Sequence, residues 1–298
     1  MLSAAITRVS GWLAVRDIVS LLVPTLAFVV SVLALVARAA GWAETRAWVR
    51  QLDGLQVTLL GLAGAATLLV TVLLLQFWLL PLTRMYEGYW GSLRWAQAWA
   101  RRRQVRRWEL LSGETGYRTM YSRFPLDRED IMPTRLGNVF RAAEGYPQDR
   151  YGMDAVFFWP RLYPLLPEPL RVELAGLRSV IDLTLVSATF AGVLSVLVVA
   201  FAGAADLGLA RALLLATALL LLFRLLYLWS VSAAARYCEL VRSAFDISRR
   251  TLLAACGVRL PATLEEERQL WQALGQLLYR GGVGEDLEGV LWFKADPP

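Results

Sequence analysis

The sequence predicts an all-α membrane protein, with four transmembrane helices in two hairpins and a helical cytoplasmic region. Three observations carry that prediction. First, residues 54–83 pass without one ionisable side chain. At about 1.5 Å per residue such a helix is about 45 Å long, more than the ~30 Å hydrocarbon core of a bilayer. Second, three more stretches pass the same test: 18–37, 183–205 and 212–235, the last interrupted by Arg224 alone. Third, the stretches come in pairs joined by short connections, 38–53 and 206–211, with a long polar segment between the pairs. Composition agrees. The chain of 298 residues is 57% hydrophobic and 19% charged, with a mean hydropathy of +0.46. A soluble domain carries about 25% charged residues.

In order, residues 1–17 read as a short cytoplasmic interfacial helix with Trp12 between Arg8 and Arg16. The run from 18 has no small-residue cleavage pattern and reads as an anchor that stays. The first hairpin occupies 18–83, its connection 38–53 reading as a short loop with Trp42 and Trp48 as interfacial aromatics. Small residues Gly61, Gly64 and Ala65 on the second helix permit close helix approach. The cytoplasmic middle segment spans 84–178. A helix is expected there from Pro133 or Thr134 to Gly145. Residues 155–169, broken by Pro160, Pro164 and Pro167, read as re-entrant or surface-packed. The second hairpin spans 179–235, with small-residue pairs Ala188/Gly192 and Ala191/Ser195 on its first helix. The tail 236–298 reads as cytoplasmic helices. Thr263 and Glu266 form a capping box ahead of the stripe Leu270, Trp271, Leu274, Leu277 and Leu278, which Gly281 ends.

Charge sets the expected orientation. Of the basic residues, 16 fall in the middle segment and 8 in the tail, against 4 in the two hairpin connections. The positive-inside rule then places both termini and the middle segment in the cytoplasm. Net charge is +6 and Lys294 is the only lysine.

The basic residues concentrate just after the second helix. Trp95 and Trp99 interleave with Arg101, Arg102, Arg103, Arg106 and Arg107. Aromatic rings suit the interface and guanidinium groups suit phosphates, so this stretch is the candidate contact with anionic lipid headgroups. The plain alternative is ordinary positive-inside charge. Nucleic acid would use the same residue types, but no recognition module accompanies them.

Several chemistries are missing. There is no histidine, hence no imidazole base, ligand or pH switch. Nucleophile-elbow, phosphate-loop, zinc-helix and paired-cysteine motifs are absent, and no cofactor or metal is expected. Asp127, Glu129 and Asp130 lack the ligand spacing of a cation loop and read as a solvated cluster. Cys238 and Cys256 read as reduced packing residues. Within the spans, Arg224 lies about 20 Å of helix from Arg211. It either snorkels, pairs with Asp182, or serves conduction or gating. Thr67, Thr71 and Ser187 are the further candidate pore residues, with Thr58, Thr189 and Ser195 beside them.

Three stretches have a familiar look together: LPLTRMYEGYW (80–90), MPTRLGNVFRAAE (132–144) and DRYGMDAVFFWPRL (149–162). With AFDISRRTLL and EERQLW in the tail, they resemble a set of bacterial four-helix integral membrane proteins of no assigned activity. The resemblance covers most of the chain from the second helix onward. It implies residence in the bacterial inner membrane and transfers no functional residue. In layout alone the chain is similar to bestrophin-like anion channels.

Function is therefore expected to be that of a non-enzymatic, homo-oligomeric, channel-like membrane assembly. The alternative is a membrane-anchored scaffold working through a cytoplasmic protein partner. An enzyme acting on lipid headgroups is the weaker third reading.

Overall fold

The computed structural model describes residues 15–112, 117–284, 287 and 289–293. Most of the interfacial helix expected over 1–17 lies outside the described residues. Among those described, the regular elements are all helices and there is no strand. The helices are α1 (Val15–Ala39), α2 (Trp42–Gln51), α3 (Gly54–Glu87), α4 (Arg94–Leu111), α5 (Tyr117–Arg123), α6 (Arg135–Tyr151), α7 (Ala155–Leu162), α8 (Glu168–Ala200), α9 (Leu209–Ala255) and α10 (Leu264–Arg280). Four of them, α1, α3, α8 and α9, are long and apolar enough to cross a membrane, which points to a multi-pass membrane protein.

Three elements differ from the sequence reading. The 38–53 connection is mostly helix. Its WAETRAWVRQ run places Glu44 in the first turn and Arg50 in the last, both favourable to the helix dipole. α9 does not stop near 235 but runs on for 47 residues, because it contains neither glycine nor proline to end it. α6 continues past Gly145 through Pro147 and ends at Gly152, whose φ of 69° gives the left-handed cap.

The chain divides into two compact units. The apolar unit comprises residues 15–83 and 179–232. Its α8 is the best covered of the four long helices, 39% of its apolar window being buried against 6% for α3. One cluster joins Leu21, Val72 and Val186. A second joins Val198, Ala202 and Ala212. Phe28 stacks on Phe190 at 4.4 Å between ring centroids, and Gly192 lets the Phe223 ring approach α8. By contrast, a Cβ at Gly61 or Gly64 would meet nothing within 4 Å.

The polar unit comprises the described residues within 84–178 and 233–293. Its core takes Leu136, Val139 and Phe140 from α6, Phe158, Trp159 and Leu162 from α7, Tyr237, Val241 and Phe245 from α9, and Trp271 and Leu274 from α10. Each such side chain contributes about 1.5–3 kcal/mol of burial. The proline-broken stretch divides: Phe158, Trp159 and Leu162 are enclosed in the core, whereas Pro164, Leu165 and Pro167 are exposed. Asp154 caps α7 by accepting from Val156 N and Phe157 N. α10 begins as predicted, with Thr263 accepting from Glu266 N at 3.2 Å. Its stripe turns slightly from the predicted one: Ala273 is buried while Leu278 is exposed.

The MPTRLGN run has a specific construction. Thr134 caps α6 and donates its hydroxyl to Glu87 O at 2.9 Å. Asn138 is fully buried, accepts from Met132 N and donates to Met132 O and Thr134 O. Gly137 is required because a Cβ there would stand 2.1 Å from Glu87 O.

Candidate anionic-headgroup surface

α4 carries six arginines and three tryptophans in 18 residues, and none of its residues is buried. At 100° per residue, helical geometry sorts them into faces. Trp95, Trp99, Arg102 and Arg106 follow the i, i+4, i+7, i+11 spacing of one stripe. Arg101, Val105 and Trp108 fall on a different side.

The second side is held by backbone contacts. Arg101 donates Nε to Ile131 O at 2.9 Å and Nη2 to Glu129 O at 2.7 Å and Arg128 O at 3.2 Å. These bonds cap the turn Arg128–Asp130, whose carbonyls have no helix to continue into. Arg128 in turn pairs with Glu109 at 2.9 Å. The two clamps enclose an open cleft of about 720 Å3 between α4 and the turn, lined by Arg101, Arg102, Arg106 and Arg128 with Glu109 and Glu129.

The arginines named from the sequence therefore do different things. Arg101 is a structural clamp. Arg103 lies over the Trp99 ring at 4.6 Å, a cation–π contact that fixes both groups. Arg107 donates to Gln104 at 3.4 Å. Arg102 and Arg106 are exposed and make no ion pair or hydrogen bond among the described residues. Trp95 and Trp99 are 76% and 59% exposed, and Leu93, Tyr89 and Met85 are exposed just before them. Exposed indoles continuing into guanidinium groups without an ion pair among the described residues make a surface with an apolar part and a cationic part. Arg128 and Glu109 were not foreseen. They lie 19 residues apart, and nothing in either local sequence announces the pairing.

The polar residues of the spans form no comparable assembly. Thr58, Thr67 and Thr71 donate their hydroxyls to carbonyls one turn back, Gly54 O, Ala63 O and Thr67 O. Thr189 does the same to Leu185 O, and Ser195 donates to Gly192 O. Ser187 and Asp182 are half-buried on α8. Arg224 is exposed, lies 5.9 Å from the Tyr227 ring of its own helix, and makes no ion pair among the described residues. The pairing of Arg224 with Asp182 is thus not formed.

A second polar cluster in the polar unit is structural. Asp246 accepts from the hydroxyls of Tyr146 at 2.9 Å and Tyr151 at 2.7 Å. Arg249 covers the Tyr151 ring at 4.1 Å and donates to Glu267 at 2.7 Å. Burial, then the hydrogen bonds with Tyr121 and Asp246, push the Tyr146 phenol above its ordinary range. Burial and Asp246 do the same to Tyr151. Among the described residues no group of acidic or cysteine side chains is arranged to hold a metal ion. Neither Cys238 nor Cys256 is in a disulfide.

Comparison of the chain with protein-family models, with curated proteins and with solved structures returns no match.

Proposed function

We propose that the protein is a membrane-anchored module whose helical polar unit works at the cytoplasmic face of the bacterial inner membrane, with α4 lying against anionic headgroups. In this reading α1/α3 and α8/α9 are two transmembrane hairpins and both termini are cytoplasmic, the orientation that the arginine distribution favours. The observation that carries it is the stripe Trp95–Trp99–Arg102–Arg106. Its indoles are exposed and its two guanidinium groups make no ion pair among the described residues, the pairing of properties that an interfacial helix needs. Such a surface would hold the polar unit at the membrane, where it serves as a scaffold for a protein partner.

The test is tryptophan quenching in nanodiscs. The full chain is reconstituted in phosphatidylcholine with and without phosphatidylglycerol, using brominated acyl chains. The part of the quenching removed by Trp95→Phe/Trp99→Phe is expected to rise with the anionic lipid and to fall in Arg102→Gln/Arg106→Gln. Quenching unaffected by either double variant sinks the reading.

A second reading, the homo-oligomeric channel-like assembly, is favoured by a different observation. Gly61 and Gly64 leave an open face on α3 with Thr67 beside them, and such faces permit close packing of helices from separate subunits. Native mass spectrometry of the nanodisc particle decides it. Four or more subunits support the assembly, and a monomer removes it.

A further inference from the structure

The apolar unit carries a groove of about 460 Å3 beside the turn that joins α8 to α9. α1 lines it with Ser31, Leu35 and Arg38, α8 with Val198, and α9 with Ala218 and Leu222. The volume lies inside the ~300–1,000 Å3 range of ligand sites. The wall is apolar apart from Ser31 and Arg38, and Arg38 is its one charged residue.

Arg38 stands at one end and is fixed there. It donates Nε to Ala205 O at 2.9 Å and Nη2 to Asp206 O at 3.3 Å. These are carbonyls of a turn in which Asp206 and Gly208 are left-handed, with φ 45° and 69°. A left-handed aspartate costs energy and persists where its surroundings hold it. A guanidinium has five N–H donors. Nη1 of Arg38 makes no hydrogen bond and Arg38 no ion pair among the described residues. Ser31, two turns back along α1, lies about 10 Å away, so an apolar trough of at least that length leads from a cation with donors to spare.

We infer that this groove holds one anionic phospholipid of the surrounding bilayer, its acyl chain in the trough and its phosphate on Arg38. An apolar trough alone would accept any hydrocarbon. A guanidinium at its end that makes no ion pair among the described residues, Asp206 meeting it through the backbone carbonyl, selects the chain that carries a phosphate and a net negative charge. The site is separate from α4 and shares no residue with it.

The experiment uses the full chain in phosphatidylcholine nanodiscs with a minor fraction of phosphatidylglycerol, and native mass spectrometry to count the lipids retained on activation. In an Arg102→Gln/Arg106→Gln background, which takes the α4 surface out of the count, the chain keeps one phosphatidylglycerol. Arg38→Gln lowers its retention about tenfold, the loss of one charge-assisted contact. Arg38→Lys retains part of it. Ala218→Phe, which fills the trough from an exposed position and leaves Arg38 in place, also loses it. Because that background removes the α4 contact, a failure of the α4 reading leaves this test unaffected. Retention in proportion to the nanodisc mixture overturns the assignment. So does retention unchanged in Ala218→Phe, or a dimer that Ala218→Phe dissociates, since the groove would then be occupied by a second copy of the chain.

Discussion

Tyr151 and Asp246 stand 95 residues apart in the chain and meet through a 2.7 Å hydrogen bond, the phenol donating to the carboxylate. Tyr146 donates to the same carboxylate, so one acid ties α6 to α9. The tie is pH-dependent with a definite sign. Burial and the bonds to Tyr121 and Asp246 raise the Tyr146 phenol above its ordinary value. A raised acid stabilises the fold fully below the unfolded value near 10 and loses that contribution as pH rises beyond it. Thermal melts of the detergent-solubilised protein should therefore show stability falling from about pH 10 upward. Tyr146→Phe should flatten that fall and cost about 1–2 kcal/mol at neutral pH. A slope identical in the variant would mean that Tyr146 is not the group responsible.

Three consecutive arginines should give three different phenotypes. Arg101→Gln removes three bonds to backbone carbonyls and should raise hydrogen exchange at 128–131 roughly tenfold, about 1.4 kcal/mol of local opening. Arg102→Gln should leave exchange and stability within about 0.5 kcal/mol of wild type, as exposed, unpaired positions do. Arg103→Gln should alter the emission of Trp99, whose ring it covers. Equal exchange in the first two variants would contradict the division of roles along α4.

Gly137→Ala is expected to be among the most damaging methyl additions in the chain. The added carbon would stand 2.1 Å from Glu87 O and 3.0 Å from Met132 Cβ. Backbone cannot yield as a flexible side chain does, so a loss of about 2–3 kcal/mol follows, at the upper end of overpacking. Gly61→Ala, with nothing within 4 Å, is the matched control. Melting points of the two variants check the contrast.

Glu267 is 5% exposed and accepts from Arg249 Nε at 2.7 Å and Trp271 Nε1 at 3.3 Å. Glu267→Ala strands a mostly buried guanidinium and should cost about 2–3 kcal/mol, reduced from the fully buried case by the partial exposure of Arg249. Combining it with Arg249→Met should recover part of the loss, because no charge then remains buried. A double variant less stable than Glu267→Ala alone would show that packing, not charge, dominates there.

Much of this was legible in the sequence because it is local. An uncharged run of thirty residues, a Thr263 cap and a Gly281 stop are each properties of a few neighbours, and each stands where expected. Prolines report backbone geometry and say nothing of burial, so they do not separate the two halves of 155–169: Pro160 sits inside α7 one residue after the enclosed Trp159, whereas Pro164 and Pro167 are exposed. The length of α9 is not legible at 235 because the sequence there changes in polarity, and a change of polarity without a glycine or proline does not end a helix. On α4 composition identified the surface but not its working face. Arg101, Arg102 and Arg103 are the same residue type, and the contact that singles out Arg101 comes from carbonyls 27 to 30 residues later in the chain.

The two thiols differ in one practical respect. Cys238 is fully buried, whereas Cys256, just past the end of α9, is half-exposed. The chain thus arrives with one chemically addressable sulfur and needs no engineered label. A membrane-impermeant maleimide, applied to sealed vesicles of each orientation, would report which side of the bilayer the end of α9 faces. Burial raises the Cys256 thiol above its usual value, so the reaction should be run on the alkaline side, where the thiolate is populated.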